Sequence, residues 1–195
     1  MIVGLPEQFA IESGISEAFE CLSDFAIGYF TIHIGGYRYG RHEPDSTAMG
    51  CSFDEVGRRV TQRGNHVAPF ANEQDAGLIA ESIRNAIYAE EGRESYFGLP
   101  AADFSEVIYS NDLLWAPDGD EAFDDGSYVL QFDVEDQVRL IGFKTDGAYS
   151  FDPSTLRDIW IPLISYYDIL ANWRLSFETE RTALLRAETR TRDYK

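Results

Sequence analysis

Residues 127–143 read S-Y-V-L-Q-F-D-V-E-D-Q-V-R-L-I-G-F. Tyr128, Leu130, Phe132 and Val134 recur at every second position, the period of a β-strand. Glu135-Asp136 makes a turn and Gln137–Phe143 returns, so the stretch predicts an antiparallel hairpin. A second hairpin lies upstream. In Ile27–Ile34, Phe30, Ile32 and Ile34 alternate with Tyr29, Thr31 and His33. Gly35-Gly36 then supplies a turn that reaches positive φ without a Cβ clash, and Tyr37-Arg38-Tyr39 follows. Strands come first, then two helices, then strands, then a long helix. That order lacks the β-α-β alternation of a doubly wound sheet. The reading is an α+β fold, a single domain over residues 1–195. It has a mainly antiparallel sheet, helices packed on one face and a long C-terminal helix.

The remaining elements follow from local signals. Phe9–Glu12 suits a short strand, Ile15–Leu22 a short helix or turn, and Ala48–Cys51 another short strand. Ser52-Phe53-Asp54-Glu55 has the form of a capping box opening a helix to about Gln62, with Phe53, Val56 and Val60 on one side and Gly64-Asn65 at its end. Asn72 is the expected cap of a second helix, whose stripe is Ala76, Ile79, Ala80, Ile83 and Ile87. Glu106–Ser110 suits a short strand or helix. Asp152-Pro153 pairs a capping carboxylate with a proline suited to a first helical turn, and Pro162 ends or bends that element. The last helix is expected from about Ser165 to Glu188, burying Tyr166, Leu170, Trp173 and Phe177. Its end carries Arg181, Arg186, Arg190, Arg192 and Lys195, which complement the helix dipole.

An apolar content of 44% over 195 residues supports a substantial core and argues against disorder. The net charge of −18 opposes binding to nucleic acid or an anionic membrane. Cys21 and Cys51 are the only cysteines, with no C-x-x-C pair, so neither a zinc site nor a disulfide framework is expected. The N-terminus M-I-V-G-L-P-E-Q-F has no basic segment before an apolar run, and Phe25–Ile34 is too short to span a bilayer. These features point to a cytoplasmic protein without a membrane partner.

The charge is unevenly placed. Between Arg93 and Arg139 there is no lysine or arginine but there are twelve carboxylates, and six of them lie in Asp112–Asp125, D-L-L-W-A-P-D-G-D-E-A-F-D-D. Carboxylates so close repel one another, so such a segment is solvated, bound to a cation or held for a cationic partner. It does not fit an EF-hand. With Asp118 first and Asp120 third, the fifth position is Ala122, the sixth Phe123 and the twelfth Val129. Acidic pairs are abundant without glycosidase spacing. His33, His42 and His66 belong to no G-x-S-x-G or H-E-x-x-H pattern, and Gly35, Gly36 and Gly40 precede no phosphate-binding lysine. No catalytic residue, metal or cofactor is therefore assigned. What remains is surface recognition: charge for steering, with Trp115 and Phe123 as aromatic area or as pins to the core.

Several segments resemble the immunity proteins of bacterial polymorphic toxin systems, and among them the immunity protein 42 family. They are F-A-I-E-S (Phe9–Ser13), G-Y-F-T-I-H-I-G-G-Y-R-Y-G (Gly28–Gly40), C-S-F-D-E-V (Cys51–Val56) and Y-S-N-D-L-L-W-A-P-D-G-D-E-A-F-D-D-G-S (Tyr109–Ser127) with the following Y-V-L-Q-F-D-V. The resemblance spans roughly Phe9 to Trp173. It implies a cytoplasmic, non-catalytic antidote that binds and blocks a cognate toxin domain whose identity the family does not fix; the acidic run adds the expectation of a basic toxin surface, such as a nuclease's. The contact candidates are Trp115, Asp118, Asp120, Glu121, Asp124 and Asp125. A metal-dependent hydrolase using the same carboxylates is the alternative. A homodimer through residues 165–190 ranks last, because that stripe suits a core better than an interface.

Overall fold

The structure, a computed structural model, describes residues 1–20, 25–89, 92–116, 121–145 and 151–192. In chain order the strands β1 (Ile2–Leu5), β2 (Phe9–Ala18), β3 (Ala26–Ile34), β4 (Tyr37–Tyr39) and β5 (Thr47–Ala48) lead into helices α1 (Met49–Thr61) and α2 (Ala76–Tyr88). The short strands β6 (Ser95–Tyr96) and β7 (Leu99–Pro100) precede helix α3 (Ala101–Ser110). Strand β8 (Leu114–Ala116), a single 3-10 turn at Glu121–Phe123, and strands β9 (Ser127–Val134), β10 (Gln137–Thr145) and β11 (Phe151–Pro162) follow. Helix α4 (Leu163–Arg192) ends the chain's described part.

The first sheet has the order β1-β2-β3-β4, with β5 also on β3; the second has the order β11-β10-β9-β8. Every pair is antiparallel. Both expected hairpins are present. Gly35 and Gly36 hold φ of +55° and +80°, the conformation that a tight β-turn of this hand requires. Val134 pairs with Gln137 across the Glu135-Asp136 turn.

One core lies between the sheets. Phe9, Ile11, Phe30 and Ile32 of the first sheet meet Val129, Val138 and Leu140 of the second, together with Phe53 and Val56 of α1 and Leu170, Trp173 and Phe177 of α4. A second core covers the far face of β9 and β10. There Leu130, Phe132, Ile141 and Phe143 pack against Ile79 and Ile83 of α2 and Phe104 and Ile108 of α3. Strands β9 and β10 are thus buried on both faces, so almost every residue of Ser127–Val134 is interior. Tyr39 bridges the sheets. Its hydroxyl donates to the Thr155 carbonyl at 2.6 Å, and a Cβ at Gly142 would lie 2.5 Å from its ring. Burial pushes the Tyr39 hydroxyl's pKa far up.

Several local expectations are corrected. Ile15–Ala18 continues β2 through a bulge between Ile15 and Glu17, because pairing with β3 satisfies its backbone; Leu22 and Cys21 lie outside the described residues. Of Ala48–Cys51 only Ala48 is strand, since α1 already begins at Met49. Ser52 therefore sits inside α1 and caps nothing; among the described residues its buried hydroxyl has no hydrogen-bond partner. The cap of α2 is Asp75, whose Oδ1 accepts from the Leu78 N–H at 3.0 Å, and Asn72 precedes it. Glu106–Ser110, for which the sequence leaves strand and helix both open, is helical and belongs to α3.

The largest correction concerns Asp152-Pro153, which opens a strand. Asp152 Oδ1 accepts from the Ser154 N–H at 2.9 Å, a local turn bond that competes with helix capping. Pro153 is tolerated because β11 is an edge strand, where a missing donor breaks no ladder. Pairing with β10 along Gln137–Gly142 then decides the element. In α4, Tyr166, Leu170, Trp173 and Phe177 are buried as expected. Arg181 does more than meet the dipole: it donates to the Phe25 carbonyl at 2.9 Å and to that of Phe19. The side chains of Arg190 and Arg192, and all of Lys195, lie outside the described part.

Candidate functional site

The acidic segment leaves α3 through Asn111 and Asp112, the latter at φ +53°. From there each end is tied to the body of the protein. Asp112 hydrogen-bonds Arg58 of α1, which also reaches Glu55. Burial alone would lower the Arg58 pKa, but the hydrogen bonds it donates to Asp112 and Glu55 hold it above its ordinary value.

The adjacent Arg59 is 0% exposed and forms the centre of a buried network. Its Nε donates to Glu55 at 2.7 Å, Nη1 to Gln131 Oε1 at 3.0 Å, and Nη2 to the Leu114 carbonyl at 2.7 Å. Gln131 accepts from the Tyr166 hydroxyl at 2.6 Å and donates to Asp133 at 3.0 Å, and the Tyr167 hydroxyl donates to Asp133 at 2.7 Å. Burial pushes both tyrosine hydroxyls up in pKa. His66, fully buried, faces the Asn111 and Asp112 carbonyls through Nδ1 at 3.1 Å each. Burial and then the Arg59 charge lower its pKa, so it serves as a neutral donor. Helix α1, strand β9 and helix α4 together anchor the start of the segment.

The contact candidates separate by position. Trp115 is only 2% exposed. It packs 6.0 Å from both Phe9 and Tyr166, with Arg59 over its ring at 5.2 Å. The indole so placed pins the segment to the core, the other role open to it, and little of its surface is exposed. Phe123 is likewise buried, against Phe30. Asp118 and Asp120 lie outside the described residues. Glu121 is exposed, and its Oε2 accepts from the Ala48 N–H at 3.4 Å, beside the start of α1. Asp124 is 68% exposed and sits 3.7 Å from Arg41. Asp125 is only partly exposed; it pairs with Lys144 and accepts from the Ser127 N–H at 3.2 Å. The described ends of the segment are thus braced, and Glu121 and Asp124 face outward as an acidic ridge. Among the described residues, no three of histidine, cysteine, aspartate and glutamate converge to hold a metal ion.

A polar cluster on the outer face of the first sheet has no single motif to announce it. Glu12 accepts from both His33 Nε2 at 2.8 Å and His42 Nε2 at 3.0 Å, and His42 packs 4.3 Å from the Tyr29 ring. Burial would raise the Glu12 pKa, yet the two imidazole hydrogen bonds hold it below its ordinary value. Period-2 alternation places Glu12 and His33 on one sheet face, but their pairing depends on the β2–β3 register. Cys51 is a free, exposed thiol.

Among the described residues no helix is long and apolar enough to cross a membrane. No curated protein matches the sequence. The crystal structure of CdiI from Burkholderia dolosa AUO158 is similar in fold, with a TM-score of 0.53 at 16% identity over 90% of this chain and 99% of that one. The family model described as immunity protein 42 matches residues 1–176. The elements that brace the acidic ridge, from β1 to the first turns of α4, all fall inside that match, and the chain belongs to the immunity protein 42 family.

Proposed function

We propose that this protein binds a cognate toxin domain in the cytoplasm and occludes its active surface, without catalysis of its own. The match to the immunity family over residues 1–176 carries this reading. The charge distribution supports a partner with a basic surface. The net charge of −18 attracts such a partner over distance, and Glu121 and Asp124 are exposed carboxylates that can meet it. Asp118 and Asp120 fall between them and Trp115 in sequence and extend the acidic run. A nuclease suits this description, because a cleft that holds polyphosphate is itself cationic.

The test is co-expression of this chain with the toxin domain encoded beside it. Restored growth of the host and co-purification of a complex are expected. Toxicity that persists with no complex recovered would overturn the proposal. Glu121→Gln with Asp124→Asn addresses the ridge separately: slower, less salt-sensitive association is expected, and unchanged kinetics would move the contact to another surface.

A further inference from the structure

Beside the acidic ridge lies an open cleft of about 570 Å³, lined by Tyr37, Arg38, Gly40, Arg41, His42, Glu43, Asp125 and Lys144. Its charge runs against the rest of the chain. The protein carries 34 carboxylates to 16 lysines and arginines, whereas this lining has three of the latter and two of the former. The frame is rigid. Gly40 turns the chain at φ +104°, where a Cβ would come within 3.0 Å of the Phe30 and Ala122 carbonyls. Its N–H donates to Ser127 Oγ at 3.0 Å, and that of Arg41 to the Ala122 carbonyl at 2.8 Å. Glu12 holds His42, and Arg157 and Lys144 flank the Tyr37 ring at 5.0 and 5.9 Å.

The cations in the cleft are not equivalent. Arg41 is shared between Glu43 at 2.7 Å and Asp124 at 3.7 Å, and Lys144 is paired with Asp125. Arg38 is exposed, and its guanidinium makes no hydrogen bond or ion pair with any described residue. Its planar guanidinium is suited to grip a carboxylate with two parallel hydrogen bonds. A nucleic acid would have to bring many negative charges against a net charge of −18. A single acid on an otherwise basic partner meets no such barrier, because the surrounding field draws its carrier in.

We propose that this cleft receives one aspartate or glutamate side chain of the toxin domain on Arg38, beside the ridge that meets the toxin's basic surface. The inference rests on the immunity reading. It adds a source of selectivity: a basic domain lacking the acid would cover Arg38 without pairing it, at a desolvation cost.

The test compares Arg38→Ala, Arg38→Glu and Arg38→Lys with the unaltered protein, by melting temperature and by binding kinetics against the toxin domain encoded beside it. Unchanged melting is expected for each. The dissociation constant should rise at least about tenfold for Arg38→Ala and further for Arg38→Glu, with Arg38→Lys between Arg38→Ala and the unaltered protein. Reversing one toxin carboxylate to lysine should restore binding to Arg38→Glu. Binding of Arg38→Glu within about twofold of the unaltered protein overturns the cleft while leaving the immunity reading intact. Restoration by no toxin carboxylate overturns the acid as occupant. Failure of the unaltered protein to bind the domain removes both readings.

Discussion

Arg59 shows how much a single side chain can organise. Four hydrogen bonds from its guanidinium reach Glu55, Gln131 and the carbonyls of Asp112 and Leu114, so one buried charge ties α1, β9 and the acidic segment together. Removing it strips the charged donor from each of those acceptors and takes away the buried partner of Glu55. Arg59→Ala should therefore cost about 3–5 kcal/mol, read as a lower denaturant midpoint in urea; a midpoint near the original would mean the network contributes little. Glu12 makes a prediction about pH. Its folded pKa lies below its unfolded value, so its contribution is fully present above pH 4.5 and is lost as pH falls through the depressed folded value. Glu12→Gln should destabilise the protein at neutral pH and flatten the decline below 4.5, measured by melting across acid pH. An equally steep decline in both forms would assign acid sensitivity elsewhere. Neither role is visible in sequence. Glu55 and Arg59 stand at helical i,i+4 spacing, but nothing local shows that Arg59 is interior.

Among the elements, periodic segments were legible and boundaries were not. The alternation of Ile27–Ile34 and Ser127–Phe143 announced real strands, and the stripe of α4 is its buried face. Ser52 and Asn72 looked like caps because capping signals are short and recur by chance. The pair Asp75→Ala and Asn72→Ala separates the two assignments for α2. The first should cost about 1 kcal/mol, and the second should stay within about 0.5 kcal/mol of the unaltered protein. A larger cost at Asn72 than at Asp75 would restore the cap that local sequence suggested. Asp152-Pro153 failed for a different reason. Its helix-start chemistry is genuine, yet ladder hydrogen bonds with the preceding strand β10 outweigh it.

For the whole molecule, charge acts in opposite directions before and after binding. At a net charge of −18 the folded chain repels itself, so raising salt from low ionic strength should raise the melting temperature of the free protein. The same salt should slow association with a basic toxin domain. A melting temperature that falls with salt, or an association rate indifferent to it, would contradict this account. The sequence by itself determined the α+β class, the two hairpins, the buried stripe of the last helix, the acidic run and the family resemblance. Each of these is written in periodicity, composition or contiguous residues. Only the tertiary structure decided that Trp115 is core, that Asp112 and Asp125 are already paired, and that an Arg38 cleft of opposite charge adjoins the ridge. These outcomes depend on which distant segments meet. Burial and ion pairing are properties of neighbours in space, and a chain reveals only its neighbours in sequence.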